Sequence, residues 1–289
     1  MEYAIEIAGL WYKYPIGKDF ILKGIDLQVK NGEFLGILGP TGSGKTTLCM
    51  CLNGLIPHYK RGELKGNIKI KGKDTLTQTV AELAGHVGVV FQDPETQLIT
   101  SSVEDEVASS LTNRGLDRAK VREIVRETLG GLAIGHLKDR IPQTCSGGEK
   151  QKITIAATIA LNPDIVVFDE ATSDLDTDAV REVFSLAENL HRNGKTIVFV
   201  THEMEHLVEY ATRIIVLADG EIRLDGAPEA VLSEWRRLTE LGLRLPQVSQ
   251  LAVELRDRGW PLETIPLTIQ QTKEQLTHLR ETKRNELHR

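Results

Sequence analysis

Residues 34–47 read FLGILGPTGSGKTT, five apolar residues and then a glycine-rich run that ends in a lysine and two threonines. A short apolar run closed by a turn signal predicts a buried strand, and the residues from about Thr46 onward predict a helix. Between them, Gly39 to Thr46 (GPTGSGKT) fits G-x-x-x-x-G-K-[ST]. Gly39, Gly42 and Gly44 allow the backbone around Pro40, Thr41 and Ser43 to fold into a concave nest. The N–H groups of such a nest, reinforced by the helix N-terminus, bind phosphates. Lys45 is then expected to reach the β- and γ-phosphates of ATP and Thr46 to offer its hydroxyl to Mg2+, with Thr47 next in the helix.

Further along, Ile165 to Glu170 (IVVFDE) is an apolar strand ending in two carboxylates. Side chains alternate along a strand, so Asp169 is expected to face a metal shell and Glu170 a water. Magnesium takes hard oxygen ligands and keeps several waters, so Asp169, Thr46 and nucleotide phosphates suffice to hold it. An acidic pair in this place commonly caps the next helix, but the phosphate-binding loop upstream favours the metal reading. Between the two lies TCSGGEKQKITIA (144–156), where Ser146, Gly147 and Gly148 open a helix and make a second anion site.

The rest of the chain supplies the frame. Ile25, Leu27 and Val29 recur at period two before the turn Asn31-Gly32, which predicts a β-rich beginning. From Pro94 to about Ile141 the spacing of Val121, Ile124, Val125 and Leu129 predicts a helical insertion. A helix over Gly147–Ala160, the strand IVVFD, a helix around Asp178–Asn193 and the strand IVFVTH follow in turn. This alternation predicts right-handed crossovers and a largely parallel sheet. Asp219-Gly220 between apolar runs is a hairpin signal.

Composition narrows the function classes. The chain has 289 residues, 40% hydrophobic and 26% charged, the profile of a soluble globular protein. Lys and Arg total 35 against 41 Asp and Glu, a net charge of -6, which argues against nucleic acid as a partner. No stretch reaches the roughly 18 apolar residues of a membrane-spanning helix, and the start, MEYAIEIAGLWYKYP, has no export signal, so a cytoplasmic location is expected. Cys49, Cys51 and Cys145 are read as core thiols in a reducing compartment.

The run at 144–156 resembles the signature of the ABC ATPase family, Leu-Ser-Gly-Gly-Gln, and the resemblance covers residues 3 to 228. It implies a P-loop NTPase of the α/β class: a mostly parallel core sheet, an N-terminal antiparallel β subdomain, an inserted helical subdomain at about 94–141 with a signature helix at 146–160, and a small C-terminal appendage at 229–289. It also implies roles. Tyr14 corresponds to the aromatic residue that stacks on adenine, with Tyr12 or Trp11 as alternatives. Gln92 resembles the glutamine that contacts magnesium and the attacking water, and Glu170 the residue that polarises that water. Ser173, Asp174, Leu175 and Asp176 resemble the loop that packs across a dimer, and His202 the switch histidine at the γ-phosphate. Ser146, Gly147, Gly148 and Glu149 would bind the γ-phosphate of a nucleotide held by a second ATPase subunit. The sequence departs from the family pattern at Cys145, Glu149 and Ala171. None of these removes a group assigned to chemistry. The Glu149 carboxylate is expected to point away or to find a basic partner such as Lys150 or Lys152.

Three stretches, 52–68, 89–108 and 245–263, are similar to the ATPase subunits of energy-coupling factor transporters. That family implies two ATPases, identical or different, on the cytoplasmic face of the membrane. They sit beneath a transmembrane coupling protein, which drives a small membrane protein that captures a vitamin or a transition-metal ion. The ATPase of a conventional ABC transporter is the nearest alternative. A soluble ABC ATPase for DNA or ribosome work should carry a long coiled coil, zinc cysteines or a second cassette, and a regulatory module should lack Glu170 or His202. Within 240–263, Val248, Leu251, Ala252 and Leu255 are spaced as a stripe on one helix, expected either to meet a partner or to pack on the chain's own core. The tail after Ile269 is expected to form a weakly held helix, with Leu276, Leu279 and Leu287 as apolar anchors.

Overall fold

The computed structural model describes residues 2–262 and 264–287, with side chains described as far as residue 280; the Leu287 side chain and Glu263 lie outside the described residues. The strands among the described residues are β1 (Tyr3–Lys13), β2 (Leu22–Lys30), β3 (Phe34–Leu38), β4 (Glu63–Ile70), β5 (Lys73–Asp74), β6 (Val87–Val90), β7 (Ile165–Asp169), β8 (Thr196–Val200), β9 (Arg213–Ala218) and β10 (Glu221–Gly226). The helices are α1 (Lys45–Leu52), α2 (Leu55–His58), α3 (Val80–Leu83), α4 (Val103–Asn113), α5 (Arg118–Gly131), α6 (Gly147–Ile159), α7 (Thr177–Arg192), α8 (Met204–Tyr210), α9 (Pro228–Ser233), α10 (Trp235–Glu240), α11 (Gln247–Asp257) and α12 (Ile269–Leu287).

Two sheets divide the strands. β2-β1-β4-β5 is antiparallel, with Ile7 opposite Leu27 and Ile68. Its inward face is the period-two set Ile25, Leu27 and Val29. The second sheet has the order β10-β9-β3-β8-β7-β6, parallel from β9 to β6 and closed by the antiparallel hairpin β9–β10. Every residue of β3, β7 and β8 is buried, because structure covers both faces of the parallel strands. On one face Leu35 and Ile37 pack with Leu48 and Leu52 of α1 and with the antiparallel sheet. On the other, Phe34, Phe168, Phe184 and Phe199 form a stacked set, with Phe184 and Phe199 centroids 4.2 Å apart. Burying such a ring contributes about 1.5–3 kcal/mol.

A third core joins α4 and α5 to α6 through Val107, Leu111, Val125, Leu129, Ile153 and Ala156. Cys145 belongs to it and is buried, so the thiol takes the place of an apolar anchor. The other two cysteines are buried in the first core.

The appendage differs from the expected stripe. In α11 the inward face is Ser249, Ala252 and Val253, while Leu251 stays 46% exposed. The helix is rotated because Leu245 is buried ahead of it and Ser249 Oγ donates to the carbonyl of Pro266, 2.6 Å away, beside the buried Ile265 and Leu267. Leu245, Val253, Ile265 and Leu267 all join the core that contains Phe184. The tail continues as α12, which packs on α11 and holds Leu276 and Leu279 half-buried. Among the described residues no helix is long and apolar enough to cross a membrane.

Candidate functional site

The C-terminal end of β3 opens into the glycine-rich loop, and each glycine there has a steric reason. A Cβ on Gly39 would collide with the carbonyl oxygen of Leu217. Gly44 has φ 106°, where an L residue is strained, and a Cβ there would lie 2.9 Å from Leu22 Cδ2. The loop lies along a cavity of about 800 Å³ lined by Gly39, Pro40, Thr41, Gly42, Gly44, Lys45, Thr46 and Thr47, and by Tyr14, Gln92, Glu170, Ser173 and His202. Ser43 is buried and lies outside that lining.

Lys45 is nearly inaccessible, and its Nζ donates to the carbonyls of Gly39 (2.9 Å) and Pro40 (3.1 Å). The same ammonium stands 3.2 Å from Glu170 Oε1, and the other carboxylate oxygen is 3.3 Å from His202 Nδ1. Burial pushes the Glu170 carboxyl up, but Lys45 and then His202 outweigh it and hold the group below its ordinary range. Glu170 does not follow the strand alternation expected of it. β7 ends at Asp169, and Glu170 has φ 52°, the left-handed region that non-glycine residues seldom adopt. Its N–H donates to Val200 O, and Ser173 donates to its carbonyl through both N–H and Oγ, so the turn is held on both sides.

Asp169 is buried, and burial, with Glu170 adding to it, raises its carboxyl to about 6. Its Oδ1 accepts from Thr46 Oγ1 at 3.2 Å. Two hard oxygens side by side, one on a carboxylate that burial disfavours as an anion, suit a divalent cation such as Mg2+. Among the described residues there is no group of three or more His, Cys, Asp and Glu that could hold a metal. The donor set therefore fits an ion that takes most of its ligands from phosphate and water.

Tyr14, rather than Tyr12 or Trp11, lines the cavity, and its hydroxyl lies 3.2 Å from Thr47 Oγ1. Tyr12 is fully buried, and Trp11 packs edge-on against Phe20. Gln92 sits on a loop whose shape depends on Gln97, which accepts from Phe91 N and donates to Val89 O. Glu106 holds the next stretch with one buried oxygen that accepts from Ile99 N, Thr100 N and Thr100 Oγ1.

Ser146, Gly147, Gly148 and Glu149 do not line this cavity. Ser146 caps α6 in a reciprocal box: its Oγ accepts from Glu149 N, and Glu149 Oε2 accepts from Ser146 N at 2.8 Å. The partner expected for Glu149 is thus corrected. Its cation is Arg140, at 3.9 Å, because Lys150 is paired with Glu95 and Lys152 with Glu182. The backbone N–H of Ser146 holds the Glu149 carboxyl below its ordinary value. Asp174, Leu175 and Asp176 also lie outside the cavity lining; Asp176 caps α7 by accepting from Ala179 N.

A family profile described as ABC transporter matches residues 22–173, more than half of the chain, spanning the loop, both carboxylates and the signature run. The chain belongs to the ABC transporter ATP-binding family. A putative ABC transporter ATP-binding protein of Pyrococcus abyssi is 41% identical over 256 residues, 88% of this chain and 91% of that protein. The energy-coupling factor transporter ATP-binding protein EcfA1 of Halalkalibacterium halodurans is 37% identical over 264 residues, 91% and 93% of the two chains. Among solved structures, CbiO1 of Clostridium perfringens, part of the ABC transporter complex CbiONQ, superposes with a TM-score of 0.73 at 31% identity, covering 87% of this chain and 99% of that one. A dimeric ATP-binding cassette in a post-hydrolysis state bound to ADP and Pi gives a TM-score of 0.68 at 28% identity, covering 78% of this chain and 98% of that chain. This ABC protein is accordingly an ATP-binding ATPase subunit of a transporter, and the cavity described above is where its P-loop opens.

The cavity also contains residues that the sequence reading did not single out. Ile21 comes from the segment before β2, and Gly242, Leu243 and Arg244 come from the appendage. Nothing in the local pattern of Arg244 marks it, since it shares a cavity with the P-loop only through packing of residues some 200 positions apart in the chain.

Proposed function

We propose that this chain is the ATP-hydrolysing subunit of an energy-coupling factor type importer, working as a dimer of two ATPases beneath a transmembrane coupling protein and a substrate-capture membrane protein that takes a vitamin or a transition-metal ion. The observation that carries this reading is the reach of the similarity to EcfA1. It extends over 264 residues, and the cassette proper ends near residue 228, so the match includes the appendage.

Within the site, Glu170 would hold and polarise an in-line water through an oxygen already positioned by Ser173 and His202. Lys45, with His202, would stabilise the charge spreading over the transferring phosphoryl group. Thr46 and Asp169 would hold Mg2+, with Gln92 beside them, and the bound ion would neutralise phosphate charge. Tyr14 would stack on the adenine. Ser146, Gly147 and Gly148, which lie away from this chain's own cavity, are suited to the nucleotide of a second subunit, with Ser173 to Asp176 packing between the two. Closure on ATP and opening after hydrolysis then deliver work as differential binding to two states.

The test is the assembly state of Glu170→Gln, sized with and without ATP and Mg2+. ATP-dependent dimerisation, together with co-purification of two different membrane proteins, supports the reading. Co-purification with the permease of a conventional importer overturns it, whereas a strict monomer in both conditions would mean that the partner ATPase is a different chain or that the membrane subunit is required.

A further inference from the structure

We infer that Arg244, supplied by the C-terminal appendage, is a phosphate-binding residue of the nucleotide site that acts on the terminal phosphate of ATP alongside Lys45 and His202. The inference deepens the proposed function and rests on the reading of this cavity as the ATP site.

The backbone puts Arg244 there and holds it. After α10 the chain turns at Gly242, φ 78°, and runs without helix or strand into α11. Leu243 and Leu245 are buried in the core that contains Phe184 and Arg244 between them is exposed, so its backbone is held by two fixed anchors. The segment is also tied to the switch region. Gln247 N–H donates to Glu205 Oε2 at 2.8 Å, and Glu205 lies in the first turn of α8, three residues after His202. Pro246, at the N-cap of α11, offers no side-chain acceptor, so Glu205 supplies the one this helix end would otherwise lack.

Arg244 lines two neighbouring cavities. A second cavity, of about 500 Å³, lies between Leu175, Thr177, the start of α8 and the appendage. The two cavities share only His202 and Arg244. Because the second contains no residue of the P-loop and not Tyr14, the wall they share is the His202 side, where Glu170 and Ser173 stand.

Charge supplies the reason for a ligand. Lys45 and Arg244 line the main cavity, with the His202 imidazole among its other lining groups. Lys45 and His202 are both engaged by Glu170. Arg244 makes no hydrogen bond or ion pair among the described residues. A guanidinium with five donors, lining the same cavity as a loop built for phosphate, matches the pairs of oxygens that a terminal phosphate presents.

The test uses the full chain with Mg2+, titrated with ADP and with a non-hydrolysable ATP analogue, in wild type, Arg244→Ala, Arg244→Lys and Lys45→Ala. Loss of one charge-assisted contact predicts that Arg244→Ala weakens the analogue about five- to tenfold. ADP affinity and melting temperature should stay at the wild-type values, and Arg244→Lys should recover part of the loss. Equal affinity for the analogue in wild type and Arg244→Ala, or an equal loss for ADP and the analogue, overturns the inference. Lys45→Ala separates the two levels: if it binds both nucleotides as wild type does, the ATP-site reading itself fails, whereas weakened binding there with an unaffected Arg244→Ala defeats only the role of Arg244.

Discussion

The Glu170 carboxylate and the Lys45 ammonium stand 3.2 Å apart, so the acid at the end of β7 and the cation of the P-loop are each other's partners. In the proposed function a triphosphate entering the loop would compete with Glu170 for that ammonium. With Lys45 turned to phosphate, Glu170 would keep His202 and Ser173 and become available to a water, which would couple nucleotide binding to the readiness of the proposed base.

Glu170→Gln keeps the shape of the side chain but removes its capacity to accept a proton. Turnover is expected to fall by about 10²–10⁴-fold while ATP still binds. Phosphate release and nucleotide titration on one preparation check this, and wild-type turnover would refute the role given to Glu170.

Lys45→Ala removes the counter-charge of Glu170 as well as the contact to phosphate. Burial then acts unopposed by the lysine, and the Glu170 carboxyl should rise. ATP affinity is expected to fall about tenfold or more together with turnover. Titration with ATP decides the matter, and an unchanged dissociation constant contradicts the geometry.

Glu149→Ala deletes one half of the capping box on α6 and should cost about 1 kcal/mol. The melting temperature should drop by about 2–4 °C. Glu149→Gln can still accept from Ser146 N–H and should stay near wild type, so a thermal-melt series over the two variants tests whether this departure from the family pattern is a cap. Equal destabilisation by both would assign the effect to the charge facing Arg140 instead.

The two faces of α11 should respond differently to the same substitution. Val253 is 9% exposed and Leu251 46% exposed. Val253→Asp forces a carboxylate into the core with Ile265 and Leu267 and should cost about 3 kcal/mol or more. Leu251→Asp should fall within roughly 0.5 kcal/mol of wild type in the isolated chain. Denaturant unfolding measures both, and comparable losses would mean that the outward face is buried after all. Assembly of Leu251→Asp with the membrane partners then reports on whether that face meets another chain.

The sequence by itself determined what depends on neighbours along the chain. The left-handed backbone at Gly44, the apolar runs of β3 and β7 and the serine that opens α6 are local, and they fixed the P-loop, the parallel sheet and the capped turn before α6. Tertiary structure decided what depends on residues far apart. The turn at Glu170 is held by Val200 and Ser173, which is why strand alternation did not place its side chain. The partner of Glu149 is Arg140 because Glu95 and Glu182, from other parts of the fold, had already engaged Lys150 and Lys152. The inward face of α11 was set by the Pro266 carbonyl, and Arg244 reaches the P-loop cavity only because Leu243 and Leu245 are buried under the sheet. A periodic pattern records which residues prefer burial, but the choice among equivalent partners is made by whichever group packing brings within hydrogen-bonding distance.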